Sequence, residues 1–599
     1  MDHVAPQEYA TRLARHAEER GALARSDSRL ADIRLYVVIA AGVAAWLAFG
    51  RHWFTPWALP AFAVLFVALM VRHERVAARL ALARRRVVFY EAGVARLEDR
   101  WRGKGIPGTR FLDPKHPYAI DLDLFGEGSL FERLCVARTR AGEDRLASWL
   151  MTPATPDIVR ARQAAVRELA PRLDLREELA LLGEDVRGGL QPAALVAWGA
   201  EPPAPHGRGV RLAAFGLAAL TLASLAAWGW GAGLVPLLVF VALARAFDWR
   251  QRSTVRRVRR TLSGPARDLK LLSLMLARLE RETFESPLLC DLRARLHGGR
   301  EGGEPASARI ARLDTLAGSL EAVNNPLLAL PAALVLWATQ FSLAVEAWRA
   351  ENGPSLAQWL DAVGEFEALS ALAAYAYEHP ADPFPALLES GARFEAEGLA
   401  HPLLPSAQAV PNTLALERGG TALMIVSGSN MSGKSTLLRA VGVAAVLAQA
   451  GAPVRAQSLR LSPLTIGASI RTQDSLQGGI SRFYAEILRL RQIVEIGDGE
   501  APPLLFLIDE ILHGTNSHDR HQGTEAVARA LVRRGAVGLI TTHDLALAAL
   551  TDDPALAAAN VHFEDQMTGG RMTFDYRLRA GVVTQSNAIA LMRAVGLEV

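Results

Sequence analysis

Leu423-Met424-Ile425-Val426-Ser427-Gly428-Ser429-Asn430-Met431-Ser432-Gly433-Lys434-Ser435-Thr436 decides the fold. Four apolar residues suited to a buried strand lead into a glycine-bounded loop, and an Ala/Leu/Val-rich run to Ala450 follows at helical spacing. That is the Walker A order of strand, glycine loop and helix. Gly428 and Gly433 let backbone N–H groups curl around phosphate oxygens, with Ser429, Asn430, Met431, Ser432 and Thr436 completing the nucleotide-binding run. Lys434 supplies positive charge to the β- and γ-phosphates, and Ser435 offers an oxygen to Mg²⁺. The implied ligands are ATP and Mg²⁺.

Downstream, Leu504-Leu505-Phe506-Leu507-Ile508-Asp509-Glu510 reads as a buried strand ending in two carboxylates, a Walker B candidate. Asp509, at the strand end, is placed to orient the Mg²⁺ shell. Glu510 is placed to polarise the attacking water as general base. A further apolar strand, Val537 to Ile540, leads to Thr541-Thr542-His543-Asp544, so His543 can sense the γ-phosphate or the water. From His401 onward, short β-branched runs alternate with glycine loops and helices. The expected fold there is an α/β P-loop NTPase of ABC type with a parallel sheet.

The rest of the 599-residue chain differs in character. Hydrophobic residues make up 50% and mean hydropathy is +0.14, which predicts apolar segments beside ordinary globular ones. Lys+Arg exceeds Asp+Glu by only four, 66 against 62, so bulk charge gives no argument for nucleic acid. Cys135 and Cys290 form no CxxC pair and match no zinc spacing. Two uncharged runs, Leu35 to Gly50 and Trp53 to Val71, each approach the ~20 residues that span hydrocarbon, and Arg51 and His52 between them suit a tight hairpin. The charged Met1 to Arg34 is too long for the start of a cleaved signal peptide, so the hairpin is expected to stay. Leu212 to Ala244, interrupted by Trp228-Gly229-Trp230-Gly231-Ala232-Gly233, reads as a second hairpin with a short second arm. Arg84-Arg85-Arg86 and the cluster Arg250, Arg252, Arg256, Arg257, Arg259 and Arg260 put both hairpins' flanks on the cytoplasmic side. These clusters suit lipid headgroups better than nucleic acid phosphates. Pro326 to Val345 is open between a buried core helix and a span. Between and after the hairpins, Ala, Leu, Arg and Glu at helical spacing predict an all-α region.

The surroundings of the glycine loop carry a family likeness. His401-Pro402, Val410-Pro411-Asn412, the loop itself through Arg439, and Asp509-Glu510-Ile511-Leu512-His513-Gly514-Thr515-Asn516 resemble the ATPase domain of the MutS family of DNA-repair proteins. Ser481-Arg482-Phe483-Tyr484-Ala485-Glu486 resembles the segment whose serine reaches the nucleotide of the opposite subunit; here it is Ser481. Tyr576 to Gly581 and Asn587 to Val595 resemble the C-terminal dimerising segment, and Gly128 to Leu150 resembles the start of the core and lever domain. The resemblance implies a homodimer with composite ATP sites and DNA as a partner. Membrane hairpins stand where mismatch-reading members carry a Phe-x-Glu wedge, and Ala409 stands where many members have an aromatic that stacks on adenine. With the reading ending at Val599, a member of the DNA-cleaving branch of the family is not expected.

The resulting organisation is a cytoplasmic segment at 1–34, transmembrane hairpins at 35–72 and 210–247, helical core and lever at 73–209 and 248–400, and the ATPase and dimerisation domain at 401–599. The expected function is a membrane-anchored ATPase in the bacterial inner membrane coupled to DNA. A membrane ATPase acting on a protein or lipid partner is the alternative.

Overall fold

The computed structural model describes residues 4–51, 57, 59–183, 192–202, 208–262, 266–297, 304–322, 326–429, 431–471, 482–496, 502–512, 515–543, 545–568 and 571–583. The chain divides into two units, Met1–Lys104 with Asp174–Leu181, and Gly105–Leu173 with Leu182–Val599.

In the first unit, α1 (Val4–Gly50) and α2 (Leu59–Leu97) run antiparallel. Tyr9 meets Tyr90 edge-on at 5.8 Å between centroids, His73 lies 3.3 Å from Asp27, and Arg34 sits over the Phe66 ring. The charged start and the apolar run Leu35 to Gly50 are therefore one unbroken 47-residue helix, about 70 Å long. Glu177 ties the charged end together, accepting Arg86 Nε at 2.9 Å and the Tyr90 hydroxyl. At the other end Leu35, Val38, Ile39, Val43, Trp46 and Phe49 are exposed. Part of the expected second arm, residues 53–56 and 58, lies outside the described residues.

The larger unit opens with helices. Among them are α3 (Arg140–Met151), α4 (Arg208–Gly229), α5 (Val235–Leu262), α6 (Pro326–Leu334), α7 (Trp337–Asn352) and α8 (Leu356–Glu378). α4 packs on α5, and α7 packs on both. The third apolar stretch is neither one core helix nor one straight span. α6 and α7 meet at a 68° bend, where Leu336 takes φ 53°. The bend strands carbonyls that need donors. Arg245 reaches Ala333 O at 2.8 Å and Gln340 Nε2 reaches Val335 O at 2.7 Å. α6 exposes Leu328 and Leu330, whereas α7 buries Thr339, Ser342, Leu343 and Val345. Among the described residues, two helices are long and apolar enough to cross a membrane, Val4–Gly50 and Gly209–Gly229.

The C-terminal part holds two sheets. β1 (Ala386–Leu387), β2 (Arg393–Leu399), β3 (Asn412–Glu417) and β5 (Ser458–Leu461) form one, in the order β1-β5-β2-β3. The other contains β4 (Leu423–Ser427), β6 (Thr465–Ser469), β7 (Leu504–Ile508), β8 (Val537–Thr542), β9 (Ala558–Thr568) and β10 (Arg571–Ala580), in the order β10-β9-β4-β8-β7-β6. Its strands are parallel except β10. Every residue of β4, β7 and β8 is buried, as continuous apolar runs covered on both faces should be. α9 (Lys434–Ala450), α10 (Arg482–Ile496) and α11 (Ser517–Arg533) complete the layers. Phe506, Ile508, Ile493, Leu531 and Ile540 share one core cluster. α9 comes close at Gly442, where a Cβ would strike Leu122 and Leu507. β8 thus lies between β4 and β7, and the strands' C-terminal ends open on one side, where ligands bind in sheets of this kind.

Candidate nucleotide site

The glycine loop leaves β4 at Ser427 and enters α9 at Lys434. Gly433 caps α9 at φ 107°, a conformation open only to glycine at low strain. At Gly428 (φ 149°) a Cβ would crowd Ser432 Oγ and Phe563 O. The hydroxyls of Ser429 and Ser432 are buried in this loop and have no hydrogen-bond partner among the described residues. Buried hydroxyls left this way are costly unless a ligand answers them, and phosphate oxygens are ligands of the right chemistry. Lys434 folds over the loop, donating to Gly428 O at 2.7 Å and Ser429 O at 2.8 Å. Burial pulls its amine below the ordinary lysine value, against the opposing effect of Glu510 and Asp509.

The Walker B carboxylates meet this loop. Ser435 Oγ donates to Asp509 Oδ2 at 2.5 Å, and Thr541 Oγ1 donates to Asp509 Oδ1. Thr541 Oγ1 in turn accepts from Glu510 N at 2.9 Å. His543, at the end of β8, places Nδ1 3.7 Å from Glu510 Oε1. One threonine on the central strand therefore orients both acidic residues of its neighbour. Ser435 and Asp509 converge as oxygen donors suited to Mg²⁺, which fills its remaining positions with water and phosphate oxygens.

A cleft of about 950 Å³ opens over these groups, lined by Lys434, Ser435, Asp509 and Glu510 and also by His401, Phe563 and Tyr576. Tyr576 enters from β10 at φ 55°, where the β9–β10 register shifts. Asn412 holds it, donating to Tyr576 O at 3.0 Å and accepting from Leu578 N at 2.7 Å. An aromatic face is thus present although Ala409 is not one. His401 is almost fully buried, and burial, with Arg439 and Arg455 nearby, pushes its pKa down to about 4. Its Nδ1 accepts from Leu403 N at 3.2 Å, as the neutral ring can.

Of the residues expected from sequence, Gly428, Ser429, Met431, Ser432, Gly433, Lys434, Ser435, Thr436, Asp509, Glu510 and His543 fall at or beside this cleft. Asn430, Ser481 and the segment Asn587 to Val595 lie outside the described residues. In the sequence, Thr541 and Tyr576 stand out only as parts of longer runs. No spacing rule marks either, because each reaches the site through strand order.

The family model for MutS domain V matches residues 424–598. The chain is 35% identical over 209 residues to Endonuclease MutS2 of Thermus thermophilus, a stretch covering 35% of this chain and 27% of that protein. It is 35% identical over 214 residues to Endonuclease MutS2 of Anaeromyxobacter sp., covering 35% and 26%. DNA mismatch repair protein MutS 2 of Halobacterium salinarum is 32% identical over 238 residues, covering 38% and 26%. The chain thus spans about a quarter of the length of these relatives. The C-terminal part of the chain, residues 424–598, thus carries a domain of the MutS family.

Proposed function

We propose that this chain is a membrane-anchored ATPase that works as a homodimer and couples ATP binding and hydrolysis to DNA, without itself reading mismatches. The carrying observation is the convergence of Lys434, Ser435, Asp509, Glu510 and Thr541 at the ends of three adjacent strands. The cleft's loop would hold the triphosphate, Ser435 and Asp509 would hold Mg²⁺, and Mg²⁺ would neutralise charge developing on the phosphates. Glu510 takes the proton of the attacking water, and His543 monitors that position. Tyr576 offers its ring to the base. Ser481 serves the partner's site.

DNA as the ligand is supported by the relatives, named as an endonuclease and as mismatch-repair proteins. Anchoring is supported by the apolar faces of Val4–Gly50 and Gly209–Gly229. Residues 35–72 and 210–247 would be membrane hairpins, with 1–34, 73–209, 248–400 and 401–599 on the cytoplasmic side. The same exposed apolar helices favour a second reading, in which the partner is a membrane protein or lipid.

Steady-state ATPase activity of the detergent-purified chain, with linear, mismatched or branched DNA at two salt concentrations, separates the two. DNA-stimulated turnover that weakens with salt is the expected result. Turnover indifferent to every DNA would leave the membrane partner as the ligand.

A further inference from the structure

Outside the cleft, one cluster joins the helical part of the larger unit to the back of the site. Asp121 is 3% exposed and lies in the segment before α3. Its Oδ1 accepts from Ile470 N at 2.7 Å and Arg471 N at 2.8 Å, just past β6. Its Oδ2 accepts from Arg489 on α10 at 2.6 Å. Asp123 pairs with Arg471 at 2.7 Å, and Arg439 of α9 donates to Asp121 O at 3.1 Å. The same segment covers the outer edge of the sheet, with Pro117 O accepting from Ala468 N at 2.9 Å.

One helical turn before Arg489, on the same face of α10, stands Glu486, 5% exposed. Its carboxylate accepts from Leu512 N at 2.5 Å. Leu512 is two residues past Glu510, and both take left-handed backbone angles, φ 47° at Glu510 and φ 55° at Leu512. Neither is glycine, so this geometry needs holding from outside. Thr541 holds it on one side and Glu486 on the other. Leu490 and Ile493 of α10 are buried in the domain core, which makes the helix a stiff connection.

We propose that Asp121 and Glu486 are positioning residues for hydrolysis, joined through α10: Asp121 fixes the helix by Arg489, and Glu486 fixes the backbone that presents Glu510. The helical region thereby sets the turnover rate without altering how tightly nucleotide binds. This rests on Glu510 acting as the base of an ATPase.

The test uses the full chain in detergent, measuring turnover and, separately, the affinity for a fluorescent ATP analogue. Glu486→Ala and Asp121→Asn each lower kcat on the order of 10–100-fold, the scale of a misplaced catalytic group, with affinity changed less than about twofold. Glu486→Gln, whose amide oxygen can still accept from Leu512 N, keeps most of the rate. The double variant Asp121→Asn/Glu486→Ala is no slower than the worse single variant, as expected of one connected path. Unchanged kcat in Glu486→Ala, a matching loss of affinity, or multiplying effects in the double variant would overturn the proposal. An unaltered chain that neither binds nor hydrolyses ATP would instead overturn the ATPase reading.

Discussion

Glu510 owes its position to its neighbours more than to its place in the sequence. Thr541 holds its N–H, Thr541 also holds Asp509, and Asp509 holds Ser435, so the two carboxylates and the end of the glycine loop are set together. Glu510→Gln leaves these backbone contacts in place and removes the basic oxygen. Turnover is expected to fall about 10²–10⁴-fold, while a fluorescent ATP analogue still binds; near-normal turnover would remove Glu510 as the base. Lys434, Ser435, Asp509 and Glu510 were legible because phosphate chemistry demands those residue types within short contiguous runs. Thr541, Tyr576 and Asp121 were not, because β8, β10 and the segment before α3 reach the cleft's surroundings only through folding.

At the scale of elements, α3 and α8 meet without room for side chains. A Cβ on Gly364 would strike Ala141 O, and one on Gly142 would strike Glu367. Glu367 is buried in this joint, accepting from Arg138 N at 2.8 Å and Thr139 N at 3.2 Å and from the Thr139 hydroxyl. Thr139 in turn caps α3, accepting from Gly142 N at 3.1 Å. Burial pushes the Glu367 carboxyl up from 4.5 to about 7, although those donors oppose the shift. Between these two values the folded chain retains a proton that the unfolded chain has lost, so this group's contribution to stability falls as pH rises through that window. Glu367→Gln should flatten the decline, removing up to about 3 kcal/mol of pH dependence. Thermal unfolding from pH 5 to pH 8 measures it, and an equal slope in the variant would sink the assignment. The apolar runs were legible as helices in the same way that α9 was. The bend between α6 and α7 was not, since Arg245 and Gln340, which satisfy its carbonyls, answer to no local pattern.

For the whole molecule, the resemblance of Ser481-Arg482-Phe483 implies an active site completed by a second copy. Complementation between two inactive chains tests this without any view of the interface. Lys434→Ala abolishes a chain's own site but leaves its Ser481 to serve a partner. Ser481→Ala does the reverse. In a mixed dimer, the site built on the intact Lys434 receives the intact Ser481, and the other site has neither. Random assortment makes half of the dimers mixed, each with one competent site of two, so equal mixing recovers about a quarter of unaltered turnover if exchange is free. Each variant alone stays inactive. If mixing recovers nothing while light scattering shows that dimers form and exchange, Ser481 acts on the nucleotide of its own chain. Each cleft would then be complete within one copy, and control of hydrolysis would have to run within the chain, as the proposed connection from Asp121 through α10 to Leu512 does.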